Sequence, residues 1–103
     1  MELATSDVIA GREIEHLGLV QGNIVLTRHI GQDIMAGLKA IVGGELTQFT
    51  DLLKESRATA TERMIQEAKD MGADAIVTVR YFTSDIMQMA SEVMVSGTAV
   101  KFK

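Results

Sequence analysis

Residues 46–71 read LTQFTDLLKESRATATERMIQEAKDM, and this stretch decides the fold. Small or apolar side chains recur in it every three or four positions, at Phe49, Leu53, Ser56, Ala60, Met64, Ala68 and Met71. The spacing predicts one long amphipathic helix with a narrow inner stripe. Gly72 is a suitable residue to end it. Because the stripe contains Ala and Ser, we expect the helix to lie close against a sheet.

The segment before this helix predicts a strand and a shorter helix. Residues 13–29 are rich in Ile, Leu and Val, and within 23–30 both alternating sets hold apolar residues, which is typical of a strand covered on much of both faces. Gly22-Asn23 predicts either a turn between two short strands or a bulge in one long strand, and we favour the bulge. Residues 32–42 predict a helix, with Gly37 at a close packing contact and Gly43-Gly44 as its break.

Two β-rich stretches close the chain. They are Ala75–Thr83 and Val93–Phe102, and Ser84–Glu92 is the predicted link between them. Gly97 falls inside the second strand, where glycine usually marks a bulge or a close approach of two backbones.

These elements predict a single α+β domain over residues 1–103. Their order is strand(s), helix, long helix, strand, strand, with the helices on one face of a mostly antiparallel sheet. Such a sheet leaves an exposed edge. Either Lys101 and Lys103 guard that edge, or a neighbouring subunit continues it.

The composition excludes several classes of function. The chain has 103 residues and no Cys, so disulfides, cysteine-based metal or iron–sulfur sites and catalytic thiols are excluded. Its net charge of −4 argues against nucleic acid and membrane surfaces as partners. We expect a cytoplasmic protein, since no targeting or membrane-spanning stretch is visible. A mean hydropathy of +0.16 is high for a small soluble chain and favours self-association.

Candidate metal ligands are few. His16 and His29 are thirteen positions apart, which places them on opposite faces of one strand unless a bulge resets the alternation. They are weak co-ligands within one subunit, although copies from several subunits can converge on a symmetry axis. Met87 and Met89 form a soft-ligand pattern that suits Cu⁺, but Met is also a common filler of cores and interfaces. We therefore predict no cofactor, with a metal ion as the alternative.

Catalysis has little support in the sequence. Asp and Glu are spread along helix exteriors, no Ser has the context of a nucleophile, and Gly43-Gly44-Glu45 has too few glycines for a phosphate loop. We expect no enzymatic activity. The alternative is an enzyme whose site lies between subunits and combines carboxylates with His16, His29 or Tyr81 of neighbouring chains.

Several short motifs keep a recognisable order and spacing over nearly the whole chain. They are Leu17-Gly18-Leu19-Val20, Asp33-Ile34 with Ala36-Gly37, Ile41-Val42-Gly43-Gly44, Glu67-Ala68, Gly72-Ala73-Asp74-Ala75-Ile76-Val77 and Val95-Ser96-Gly97-Thr98-Ala99-Val100. With these motifs the sequence resembles the YbjQ-like family, small bacterial proteins of unknown function that are often labelled as heavy-metal-binding domains. Their glycines are expected to be structural: Gly18, Gly37, Gly43, Gly44, Gly72 and Gly97.

The resemblance implies an α+β protomer of the dodecin-like fold group, assembled as a ring-shaped pentamer, and it implies no established activity. The chain departs from the family pattern after Gly43-Gly44, where Glu45, Phe49 and Thr50 replace an Arg and a Tyr-Glu pair. Any site lined by that Arg and Tyr in relatives is altered here. Thr78 replaces a Gly that is frequent in the following strand.

Together the residues and the resemblance lead us to expect a homo-oligomeric binding or scaffold module without enzymatic activity. Its main partner is a second copy of the same chain. A small ligand or a metal ion at the subunit junctions is compatible with this expectation.

Overall fold

The computed structural model describes residues 1–27, 47–87 and 90–103, whose strands form one four-stranded sheet. Four strands and one helix make up this part of the chain: β1 (Glu2–Leu3), β2 (Ile14–Thr27), α1 (Thr47–Asp70), β3 (Ala75–Met87) and β4 (Ala90–Phe102). The strand order is β1-β3-β4-β2. Strand β4 is antiparallel to both β2 and β3, and β1 is parallel to β3. The predicted α+β architecture with a mostly antiparallel sheet is confirmed.

The strand order decides which strands form the edges. Strand β4 lies between β3 and β2, so Lys101 and Lys103 at its end do not guard an edge, and that prediction is wrong. Strand β2 is at one edge and β1 at the other. At two residues, β1 is too short to produce a periodic signal in the sequence.

Helix α1 lies on one face of the sheet, over β2 and β4. The predicted inner stripe is confirmed at its centre, because Ser56 and Ala60, Met64 and Ala68 are buried. Met71 follows the last helical residue and is 40% exposed, so the stripe ends before it. The sheet side chains buried in the same cluster are Val20, Ile76, Val79, Val95 and Ala99.

The helix backbone meets the sheet backbone at Gly22. A Cβ atom on Gly22 would overlap the carbonyl oxygen of Ala60 and lie 2.6 Å from the amide nitrogen of Met64. Gly22 pairs regularly with Val95, so β2 is one continuous strand at this point, and the bulge predicted here is wrong. The register shift lies at Leu17 instead. Glycine is required at position 22 by the helix contact and not by a break in strand pairing.

Helix α1 ends in a Schellman motif. Gly72 has a φ of 79° and donates its N–H to the carbonyl of Lys69 at 2.9 Å. Ala73 donates to the carbonyl of Ala68 at 3.0 Å. These two bonds satisfy carbonyl groups that the helix itself leaves unpaired, and the left-handed conformation between them favours glycine.

The N-terminal strap, residues 4–13, covers the other face of the sheet at one end. Its Ile9 is buried in a second apolar cluster with Ala75, Val77 and Val100. The guanidinium of Arg12 lies 4.4 Å from the centre of the Phe102 ring, a cation–π contact. Backbone hydrogen bonds fix the strap: Ala4 N–H to Ile76 O, Val79 N–H to Ala4 O, Thr78 N–H to Ser6 O, and Lys103 N–H to Glu13 O.

Thr78 adopts a left-handed backbone conformation, with a φ of 55°, and is the only non-glycine residue in the described ranges that does so. The register of β3 against β4 shifts between Val77 and Arg80, and the Thr78 N–H donates to Ser6 of the strap at 2.9 Å. A β-branched residue in this conformation costs about 1–3 kcal/mol. The resemblance implies glycine at this position, and the structure gives the physical reason.

The link predicted at Ser84–Glu92 is wrong, because the strands continue through most of it. Ser84 pairs with Glu92 and Asp85 with Ser91, and strand pairing reaches Met87 and Ala90. The hydroxyl of Ser91 donates to Asp85 Oδ1 at 2.9 Å. Polar residues of low strand propensity conceal this part of the hairpin in the sequence.

Some predictions fall outside the described residues. These are the helix at 32–42 with Gly37, its break at Gly43-Gly44, and the candidate ligands His29 and Met89.

We expect Gly22→Ala to lower the free energy of unfolding by about 1–3 kcal/mol, because the added methyl group must push the helix away from β2. Urea denaturation at a fixed protein concentration measures this. Gln21→Ala is the matched control, since Gln21 is exposed on the same strand, and its effect should stay within about 0.5 kcal/mol. An equal midpoint for Gly22→Ala and Gln21→Ala would show that the backbones are not in contact.

Thr78→Gly should raise the free energy of unfolding by roughly 0.5–1 kcal/mol. Glycine removes the strain of the left-handed backbone conformation. This gain in free energy exceeds the cost of the additional backbone entropy that glycine loses on folding. The same substitution at Thr83, an exposed residue of β3 that lacks a positive φ, should instead lower stability. Thermal melts of both variants test the pair, and a loss of stability in both would contradict the strain at Thr78.

Candidate functional site

Part of the sheet face opposite α1 carries exposed apolar side chains. The strap covers this face only near Val100, and beyond the strap three apolar side chains are exposed: Leu19 by 65%, Val25 by 45% and Phe82 by 49%. We call the surface formed by Leu19, Val25, Phe82 and the half-buried Met94 the open face. Exposed apolar side chains that share one face of a small protein commonly mark an interaction site.

Strand pairing places these side chains on one surface. Phe82 lies opposite Met94, and Met94 lies opposite Asn23 on the other neighbouring strand. Successive side chains of a strand alternate between the two faces. Because Val95 packs against α1, its neighbour Met94 and the partners of Met94 point away from the helix. Leu19 and Val25 share the alternation of Asn23 and belong to the same face.

The charged groups on this face are held by the chain itself. Arg80 Nη1 donates to the carbonyl of Thr5 at 2.9 Å and to that of Val79 at 3.0 Å. Glu92 Oε2 accepts a hydrogen bond from Asn23 Nδ2 at 3.0 Å. The open face therefore combines apolar side chains with charged groups that are hydrogen-bonded to neutral groups of the same chain. It suits another protein surface better than a small ion.

Of the metal-ligand candidates, His16 and Met87 lie in the described residues, and their positions in the sheet are far apart. His16 is exposed and pairs with Val100, whereas Met87 pairs with Ala90. Val100 and Ala90, the β4 partners of these two residues, are ten residues apart, which is roughly 33 Å at about 3.3 Å per residue. Within residues 1–27, 47–87 and 90–103, no three His, Cys, Asp or Glu side chains are grouped as a metal would require. These residues of one subunit do not fit a metal centre.

The other polar candidates have structural partners. Tyr81 lies on the helix side of β3, and its hydroxyl is 2.8 Å from Thr61 Oγ1 of α1. Asp74 Oδ2 accepts the N–H of Phe102 at 2.8 Å and fixes the end of β4. These groups join elements of the fold to one another, and neither bond forms the acid–base or nucleophile–base pair that catalysis needs.

Two motif glycines lie where the sheet is tightly packed. A Cβ atom on Gly97 would lie 2.5 Å from Ile76 Cγ2 and 3.1 Å from the carbonyl oxygen of Val77. Gly18 has a φ of 152°, and a Cβ atom there would lie 3.2 Å from Met71 Cε. Both positions support the close fit of strands and helix.

The open face and the strap were both missed by sequence reasoning. Apolar residues on both alternating sets of β2 were interpreted as two covered faces, yet Leu19 and Val25 are uncovered. The alternation of side chains in β2 locates the open face once Phe82 is assigned to the same face of the sheet. The strap has no periodic pattern, and Ile9 is its one buried apolar residue.

The fold and this surface define a small α+β protein with a helix on one sheet face and an uncovered area on the other. No helix of the described ranges is long and apolar enough to cross a membrane. The same fold occurs in the crystal structure of a protein with unknown function from Pediococcus pentosaceus, which belongs to the DUF74 family. The TM-score is 0.70 at 13% identity, covering 100% of this chain and 98% of that one.

A family model described as “Putative heavy-metal-binding” matches residues 1–103, and the chain belongs to this YbjQ family. Similar relatives are UPF0145 proteins of bacteria and an archaeon. The one from Clostridium novyi is 50% identical over 101 residues, 98% of each chain. The one from Methanosarcina acetivorans is 49% identical over 102 residues, 98% of this chain and 96% of its own. The resemblance seen in the sequence motifs is confirmed.

The scattered ligands give a prediction about metals. We expect the protein, purified without chelator, to bind Zn²⁺, Ni²⁺ or Cu⁺ no more tightly than about millimolar, which corresponds to roughly 4 kcal/mol. Native mass spectrometry and calorimetry measure this. His16→Ala should leave both results unchanged. Stoichiometric metal that disappears in His16→Ala would contradict the prediction and place a site at that residue.

Proposed function

We propose that this protein is a homo-oligomeric binding or scaffold module without enzymatic activity, whose copies associate through the open face. The observation that carries the proposal is the exposure of Leu19, Val25 and Phe82 on one face of the sheet. Five copies in a ring is the assembly that the family resemblance implies, and we adopt it as the expected number.

Burial of apolar side chains at the open face favours association of two copies, but its free energy is too small to hold them together without further contacts. Burying the exposed half of a large apolar side chain contributes about 1 kcal/mol. Three such side chains from each of two copies therefore contribute roughly 6 kcal/mol at one junction. Association costs about 4–15 kcal/mol in lost freedom of motion. Side-chain burial alone makes the assembly marginal, so polar contacts between the copies must add to it.

The same surface properties define the partners. A net charge of −4 repels nucleic acid and anionic membranes, so the chain itself is the partner that we propose. A chain without cysteine is suited to the cytoplasm, where thiols stay reduced and disulfides do not stabilise small domains. A small ligand, where one is bound, would lie at a junction between copies.

Light scattering after size-exclusion chromatography tests the proposal at micromolar concentration. The chain is 11.2 kDa, so five copies give about 56 kDa. Phe82→Glu places a charge on the open face and should dissociate the assembly, because a desolvated carboxylate without a partner is costly. A monomer of the unchanged chain would refute the proposal.

Ala58→Glu is the matched control. Ala58 is exposed on α1, on the opposite side of the sheet from the open face, and the substitution adds the same charge. Its oligomer should equal that of the unchanged chain. Equal dissociation by both variants would mean that net charge, and not the open face, governs association.

A further inference from the structure

The strap is held to the sheet by few apolar contacts. Of residues 4–13, Ile9 is the one buried residue, and Val8 beside it is 62% exposed. Most of the remaining contacts of the strap are backbone hydrogen bonds near the protein surface. Segments with few buried apolar contacts and exposed backbone hydrogen bonds open at a lower free energy than core strands do. The strap is therefore suited to detach while the rest of the sheet stays folded.

The first half of the strap is bonded to the bulge of β3. The bonds run from Thr78 N–H to Ser6 O, from Val79 N–H to Ala4 O and from Arg80 Nη1 to Thr5 O. At the bulge two residues of β3 lie opposite one residue of β4, so their N–H groups leave the β4 ladder and point to the strap. Because these bonds lie side by side, the first half of the strap detaches as one unit.

Thr78 opposes the closed position of the strap. Its φ of 55° lies in the left-handed region, where a β-branched residue is strained. This conformation accompanies the hydrogen bond from the Thr78 N–H to the carbonyl of Ser6. When the strap detaches, the bond is lost and the backbone at Thr78 is free to relax to the extended region. The strain is therefore a cost that the closed position carries and the detached position does not.

Detachment uncovers apolar side chains beside the open face. Val77 and Val100 are buried in one cluster with Ile9 of the strap. Val77 lies opposite Thr98 of β4, and Thr98 lies opposite Leu19 of the open face. The covered cluster and the open face therefore meet along one row of the sheet. The position of the strap sets how far the apolar surface of the sheet extends.

We infer that the strap is a reversible cover, which detaches from the sheet while α1, β2, β3 and β4 stay folded, and that the strain at Thr78 sets how often it detaches. With the strap closed, the exposed apolar surface ends near Leu19. With the strap detached, it extends to Val100. The inference rests on the contacts of the strap within one chain, and it holds for a monomer as well as for the oligomer of the proposed function.

Hydrogen exchange of the full chain tests the inference under native conditions. The amides of Ala4, Thr78 and Val79 report on the strap, and those of residues 93–99 in the central strand β4 report on global unfolding. We expect the strap amides to have protection factors at least about tenfold lower than the β4 amides. Low urea concentrations should accelerate exchange of the β4 amides only, because local opening exposes little surface. Equal protection factors with an equal urea dependence would overturn the inference.

Thr78→Gly isolates the contribution of the strain. It should raise the protection factors of the strap amides about two- to fivefold, which corresponds to roughly 0.5–1 kcal/mol at about 1.4 kcal/mol per tenfold. Thr83→Gly is the matched control on the same strand, outside the bulge. It should lower the protection factors of the β4 amides and leave the strap amides unchanged, because they exchange without global unfolding. Strap amides that do not respond to Thr78→Gly, or that lose protection equally with β4 in Thr83→Gly, would contradict the inference.

Thiol labelling gives a second measurement, because the chain contains no cysteine. Ile9→Cys places a thiol under the strap, Val8→Cys on its exposed side and Val95→Cys in the core. With a soluble disulfide reagent, we expect position 9 to react more slowly than position 8 and at least about tenfold faster than position 95. Adding Thr78→Gly should slow the reaction at position 9 by the same two- to fivefold. A reaction at position 9 as slow as at position 95 would show that the strap opens only with global unfolding, and one as fast as at position 8 would show that it does not close; either result would overturn the inference.

Discussion

The contact between the backbone of α1 and the backbone of β2 at Gly22 is the constraint on which the rest of the structure depends. Because the carbonyl of Ala60 and the amide of Met64 occupy the space of a side chain at Gly22, the helix backbone lies directly on the backbone of β2 there. This explains why Ser56, Ala60 and Ala68 recur in the inner stripe.

That opposite face is divided by the strap. At the lower end Ile9 and the Arg12–Phe102 contact cover it, and the strap takes the N–H groups that the bulge of β3 turns away from β4. The left-handed conformation of Thr78 is held in place by these bonds, so the strain and the strap belong together. Above the bulge the strap ends, and no other strand of the described residues lies beside β3 there. The bulge thus marks the point up to which the strap completes the sheet.

The sequence predicted what depends on regular periodicity. The long helix, its end at Gly72, the two last strands and the α+β class follow from spacing of apolar residues and glycine, and the structure has them. The bulge position, the polar end of the hairpin and the role of Lys101 could not be predicted, because each depends on which strands are neighbours. The open face could not be predicted for the same reason. Alternation in β2 shows two sets of apolar side chains, but only the sheet order shows which set the helix covers.

The charge distribution connects this architecture to self-association. The net charge of −4 would oppose association of identical chains if it were spread evenly. The side chains on the outer surface of α1 are largely charged, whereas on the open face Arg80 and Glu92 are each bonded within their own chain. Identical copies can therefore approach through the sheet with their helices turned away from each other. Contact through the helices would desolvate charged side chains and leave the apolar face in water, so both terms favour the sheet.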